Sequence, residues 1–357
     1  MKNKVISSII LLLICLSIIF FNCQIIAEEN PQSYILEYAE EFVKGYDLEV
    51  AAIIPIYDLY NNIIRYCVTY NKDSKEFGYI ILDSIISKGK AQLIEFAFNC
   101  NSIIKPNRKN VLINIMEYGQ QRGEFIEVGN RAFYLSMLKK YLANDSANSI
   151  YDGYLDIDIN LNDILNGQLQ LVPYAFTFRP FIQEDLATTS QIDDGICGAT
   201  TAMNVLKYYY DSGEEKYDDL FYQNADYSIN VNQTYNILRS YQSSSNPYNI
   251  EDQDKRKTAL NNYIKNKTTL NVTIVKYLFT TWTFFYNDIK NGKLVDVKYS
   301  YMDAGHAVLA IGAAVVKPDI YPFGTKFLCV ADTWNYNVRW LNYDYHDNVK
   351  GMSINVY

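Results

Sequence analysis

The chain has 357 residues, 49% of them hydrophobic and 20% charged, with a formal charge of -8, six Cys and two His. That composition supplies a core and excludes a mainly disordered protein, and at roughly 150 residues per domain the length suggests two domains. An acidic chain without a basic cluster argues against a nucleic-acid partner. With only two His and no pair of Cys at CxxC spacing, a zinc site is not expected, nor is any other cofactor.

Lys2 and Lys4 precede Val5 to Phe21, an uncharged and mostly apolar run. This reads as the basic and apolar regions of a secretory signal cleaved after Ala27. The run is also close to the roughly 17-residue lower limit for a spanning helix, so an uncleaved anchor that retains the protein at the cell surface is the alternative. Export removes Lys2 and Lys4, taking the charge from -8 to -10, and leaves Cys67, Cys100, Cys197 and Cys329. Four Cys are too few for a disulfide framework in a chain of this length. Cys67 and Cys100 either pair with each other or stay as buried thiols.

Residues 31–46 read as a helix that begins at Pro31, carries Ile35, Tyr38, Ala39, Phe42 and Val43 as its apolar stripe, and ends near Gly45. Residues 65–70, 78–82 and 91–98 read as strands, and the polar segment 71–76 as a hairpin connection. Helices are expected at about 111–117 and 131–142. The Asn144 to Asn148 cluster looks like a linker, and a domain boundary is placed between about 144 and 170. The expected division is therefore a signal at 1–27, a smaller α+β domain at 28–165, and a second domain at 166–357. In the second, 199–210 and 255–265 read as helices, and 272–279, 306–316, 326–331 and 352–356 as strands. Helices followed by strands argue for an α+β fold.

The most informative segment runs from Gln191 through Asp193, Asp194, Gly195, Ile196 and Cys197 to Gly198 and Met203. Cys197 stands where a glycine-containing loop enters a helix, so unsatisfied backbone N–H groups and the helix dipole favour its thiolate. Gly195 and Gly198 allow a sharp turn and the close approach of a substrate carbonyl. Gln191, six residues upstream, is positioned to join the Cys197 N–H in holding an oxyanion. The base expected for such a nucleophile is His306, which opens an apolar strand and has Gly305 beside it. His346, in a polar and aromatic stretch, reads as a solvent-exposed loop residue. Asp332, delivered at the end of the 327–331 strand, is expected to accept the second ring N–H of His306, with Trp334 shielding that bond from water.

The order Gln191, Cys197, His306, Asp332 resembles that of the papain-like cysteine peptidases. The six-residue interval from Gln to Cys matches, and Asp332-Thr333-Trp334 is similar to that family's Asn-Ser-Trp signature with Asp in place of Asn. The sequence from Cys197 to Met203, with Leu206 to Tyr209, is closer to bacterial branches, the streptopain-like and double-glycine-leader peptidases. The pattern spans about residues 170–357. It departs from papain in lacking the Trp that often follows soon after the nucleophile. The resemblance implies a papain-like catalytic domain, a Cys197–His306–Asp332 triad with Gln191 in the oxyanion hole, and a peptide or protein substrate. Residues 66–93 resemble, more weakly, the sheet of a streptopain-like propeptide, which implies an inhibitory prodomain; a permanent accessory domain is the other reading. The same residues would also serve a transpeptidase or amidase, since both run through one acyl-enzyme. A secreted binding protein on a silent peptidase scaffold is the third reading.

Overall fold

The hairpin expected at 71–76 forms: Lys72 pairs with Lys75 across Asp73 and Ser74, both with positive φ, the geometry of a tight turn matched to strand twist. The computed structural model describes residues 31–87, 90–114, 117–128, 131–136, 162, 168–175, 177–186, 196–241, 253–277, 281–301, 304–316, 325–345 and 350–357. The expected signal, the 144–148 linker and most of the 144–170 boundary region lie outside these residues. No helix among the described residues is long and apolar enough to cross a membrane.

The fold is α+β, built on one large, mostly antiparallel sheet. In the N-terminal half, helix α1 (Pro31–Phe42) precedes strands β1 (Glu49–Tyr57), β2 (Ile63–Lys72), β3 (Lys75–Ser87), β4 (Lys90–Phe98), β5 (Lys109–Asn114), β6 (Glu117–Arg122), β7 (Phe125–Val128) and β8 (Arg131–Tyr134). The C-terminal half adds β9 (Gln168–Leu171), α2 (Gln183–Leu186), α3 (Cys197–Tyr210), α4 (Val231–Ser240), α5 (Gln253–Lys267), β10 (Val272–Lys276), α6 (Trp282–Lys290), β11 (Leu294–Tyr301), β12 (Ala304–Val316), β13 (Thr325–Ala331), β14 (Arg339–Asn342) and β15 (Lys350–Val356). The strand order is β10-β15-β11-β12-β13-β14-β4-β3-β2-β1-β5-β6-β7-β8, with β9 against β12. Among the described residues, only the β1–β5 pair is parallel.

Two expected helices are strands. Lys109–Asn114 pairs with β1 and β6, and Arg131–Tyr134 pairs with β7; residues 137–142 of the second lie outside the described residues. Short apolar runs carry no decisive period, so pairing with neighbouring strands overrides local preference.

The halves meet at β4 and β14, where Phe96 faces Trp340 and Glu95 faces Leu341 in register. Phe96 stacks on Trp340 at 6.0 Å and meets Phe327 edge-on at 5.5 Å. One hydrophobic cluster joins Ile35, Ala39 and Phe42 of α1 and Val68, Ile80 and Leu82 of β2 and β3 to Ala314, Val316 and Phe327 of the C-terminal half. The larger cluster lies between β11–β13 and helices α3, α5 and α6. Within it Asp296 on β11 forms a fully buried pair with Arg256 on α5 at 2.6 Å. The four described Cys are buried thiols, and Cys67 contacts the Ser102 hydroxyl at 3.5 Å.

Gly312 is where β9, β13 and β14 crowd β12. A Cβ built there would sit 2.5 Å from Leu171 Cδ2 and 2.8 Å from Cys329 Cβ. Gly312→Ala is therefore expected to lower unfolding stability by about 1–3 kcal/mol, read as an earlier urea midpoint. An unchanged midpoint would contradict the packing of β9 on β12.

Candidate active site

Helix α3 starts at Cys197 itself. Its preceding residue, Ile196, makes no side-chain cap, so the first-turn N–H groups beside the thiol receive no capping oxygen from that side chain. Cys197 is 4% exposed.

Its position relative to the sheet follows from a strap that runs back along the helix. Arg179 N–H donates to the Asp211 carboxylate at the C-terminal end of α3, at 2.9 Å. Midway, Phe181 N–H donates to Asn204 Oδ1 at 2.7 Å and Asn204 Nδ2 donates to the Phe181 carbonyl at 3.1 Å. Gln183, two residues further on, opens α2. There Gln183 N–H donates to the Thr333 carbonyl at 2.9 Å and its Nε2 to Thr333 Oγ1 at 3.0 Å.

The first residues of the strap tie the same helix to the sheet: Val172 N–H donates to the Ile311 carbonyl and Tyr174 N–H to the Tyr208 hydroxyl. The strap therefore holds α3, which packs on β12, against the Asp332–Thr333 turn that faces His306.

His306, 3% exposed, is the third residue of β12, opposite Tyr299 of β11. Its Nε2 lies 2.7 Å from the main-chain carbonyl of Asp332. A carbonyl only accepts, so this contact assigns the proton to Nε2 and leaves Nδ1 as an acceptor. Trp334 lies flat against the ring, at 5.3 Å and 8°.

The Asp332 carboxylate differs from expectation. It does not receive the His306 proton, because it is engaged elsewhere: Oδ1 accepts from the N–H groups of Trp334 and Asn335, both at 2.9 Å, and Oδ2 accepts from Asn335 Nδ2 at 2.8 Å. Oδ2 also pairs with Arg339 Nη2 at 2.5 Å. With its side chain turned into the loop, Asp332 offers His306 its carbonyl instead. The next residue, Thr333, has φ +67, costly for a β-branched side chain, and Gln183 clamps it from both its carbonyl and its hydroxyl.

Gly198 lies buried in the first turn of α3, and Gly305 precedes His306 on β12 with its backbone paired to Ser300. Gln191, with Asp193, Asp194 and Gly195, lies outside the described residues, as does His346. Gln183, Asn335 and Arg339 were not singled out in the sequence. Gln183 and Arg339 show no local pattern tying them to Asp332, and only the three-residue spacing of Asn335 after an Asp hints at a turn. No protein-family model and no curated protein matches the chain.

Burial lowers the His306 pKa from its ordinary 6.5 to about 4, opposed by the Asp332 carbonyl and charge and assisted by the charge of Arg339. An unfolded chain binds this proton near pH 6.5 and the folded chain only near 4. The stabilising contribution is therefore complete above pH 6.5 and is lost as the pH falls toward 4, by on the order of 3 kcal/mol. Urea unfolding at pH 7 and pH 4.5 should show a larger acid loss in wild type than in His306→Gln. Equal losses would contradict a buried neutral imidazole.

Proposed function

We propose that this protein is a secreted cysteine peptidase with a papain-like catalytic half, hydrolysing peptide bonds through a thioester acyl-enzyme. The observation that supports the reading is the His306 ring, whose Nε2 proton is held by the Asp332 carbonyl while Nδ1 is left as an acceptor, on a strand against which the helix beginning at Cys197 packs. Nucleophilic catalysis requires a base of defined tautomer and a thiol activated at a helix start, and in this reading His306 and Cys197 fill those two roles.

In this mechanism Nδ1 of His306 takes the Cys197 proton and the sulfur attacks the substrate carbonyl. The Cys197 N–H and the Gln191 amide hold the oxyanion. As the C–N bond breaks, the imidazolium returns its proton to the leaving amine. Water, deprotonated by the same nitrogen, then attacks the thioester and frees Cys197. The carbonyl of Asp332 keeps the ring oriented through both steps, taking the part the resemblance assigned to a side chain. Charge balance comes from the thiolate, which the helix start favours and which offsets the cost of protonating a buried imidazole.

Reduced protein is expected to gain the mass of one thiol-directed irreversible peptidase inhibitor, mapped to Cys197. The same mass spectrum reports whether residues 28–165 remain attached after secretion. Against a diverse peptide library, Cys197→Ala should show no cleavage, and Gln191→Ala should lose about 10²–10³ in turnover. A library left intact by folded wild type that carries no adduct would overturn the peptidase reading.

A further inference from the structure

Glu95 belongs to β4, in the N-terminal half, yet it is tied to the loop that serves His306. Arg339 Nη1 donates to Glu95 Oε1 at 2.9 Å and to Oε2 at 3.2 Å, while Nη2 of the same guanidinium pairs with Asp332. Glu95, Arg339 and Asp332 are each no more than 1% exposed. Glu95 also accepts from the Tyr79 hydroxyl at 3.1 Å and the Tyr118 hydroxyl at 3.3 Å, and Arg65 donates to Tyr118 at 3.0 Å. Six side chains of the chain's two halves thus form one largely buried network ending at Asp332.

We propose that Glu95 is a positioning residue for the site carried by the other half of the chain: through Arg339 it holds the Asp332 carboxylate in its loop and so aims the Asp332 carbonyl at His306. This rests on reading His306 as the site's base. The physical reason lies in how a buried guanidinium is satisfied. With carboxylates on both sides, Arg339 is fixed at the midpoint between β4 and the Asp332 turn. With Glu95 uncharged, its Nη1 side loses a charged acceptor that water cannot replace, and the guanidinium re-centres on Asp332. The Asp332 carboxylate is the hub of the turn, holding Trp334 and Asn335, so its displacement moves the adjoining carbonyl. It follows that residues 28–165 complete the site rather than merely cover it. Excising them would remove Glu95 and leave β14 as an open edge.

The test uses the whole chain and the His306 ring N–H, followed by NMR hydrogen exchange. The chain has two His, so the ring signals are few and His346→Gln assigns them. In wild type the His306 Nε2–H should be protected. In Glu95→Gln it should exchange roughly tenfold faster or more. Asn342→Ala is the control: Asn342 Nδ2 donates across the same β14–β4 seam to the Leu93 carbonyl at 2.9 Å but touches none of the network, and exchange should stay within about twofold of wild type. Tyr118→Phe removes one neutral donor to Glu95 and should accelerate exchange in the same direction by less, which preserves the test if Glu95→Gln does not fold. Equal exchange in wild type and Glu95→Gln, or equal acceleration in Asn342→Ala, would overturn the proposal. No substrate enters this measurement, so its outcome is separate from whether the chain cleaves peptides.

Discussion

Arg339 is the residue through which the two halves of this protein become one object. A guanidinium taken out of water is costly, and the cost is offset only where its donors meet charged acceptors in good geometry. Here the acceptors come from opposite directions, Glu95 on β4 and Asp332 after β13. That requirement forces the sheet to continue across the seam. Strand β14, which begins at Arg339, pairs Trp340 and Leu341 with Phe96 and Glu95 of β4, and Phe96, Trp340 and Phe327 close the apolar side of the junction. Burial disfavours the charge on Arg339, while Asp332 and Glu95 together outweigh that effect and hold its pKa well above the ordinary value.

The same pairing shapes the site. Because the Asp332 carboxylate is consumed by Arg339, Asn335 and two backbone N–H groups, the atom left for His306 is a carbonyl oxygen. A neutral acceptor sets the imidazole tautomer as well as a carboxylate does, but it stabilises the imidazolium less. Burial therefore outweighs the Asp332 carbonyl and charge, and the His306 pKa is lowered from 6.5 to about 4. A turn that presents its carbonyl in this way needs Thr333 in a left-handed conformation, and Gln183 supplies the two hydrogen bonds that keep it there. The strap that carries Gln183 is in turn aligned by Asn204 on α3, so the helix bearing Cys197 and the turn facing His306 are registered against each other by the backbone between them.

How much of this was legible beforehand follows the range of the interactions. The start of α3 at Cys197, the hairpin at 71–76, the strands around 63–98 and the apolar strand opening at His306 rest on periodicity, glycine placement and turn chemistry, all encoded within a few residues. The segments around 111–114 and 131–134 were misread as helices because short apolar runs have no clear period, and their identity depends on strands that lie far along the chain. Helices α4 and α6 and strands β1 and β11 were not anticipated, and α6 in particular is buried through Phe285 and Ile289 by packing that no local pattern announces.

The sequence alone, then, determined which residues the proposed chemistry would use: one Cys at a glycine-bearing helix start, one His near the head of an apolar strand, and an Asp and a Trp after the following strand. These are matters of residue type and local context. Which oxygen faces His306, which residue clamps the turn, and whether residues 28–165 stand apart from the rest were decided only by tertiary structure. Each depends on where a buried charge finds its partners, and for Arg339 one partner lies 244 residues away in the chain, a separation that leaves no trace in any local pattern.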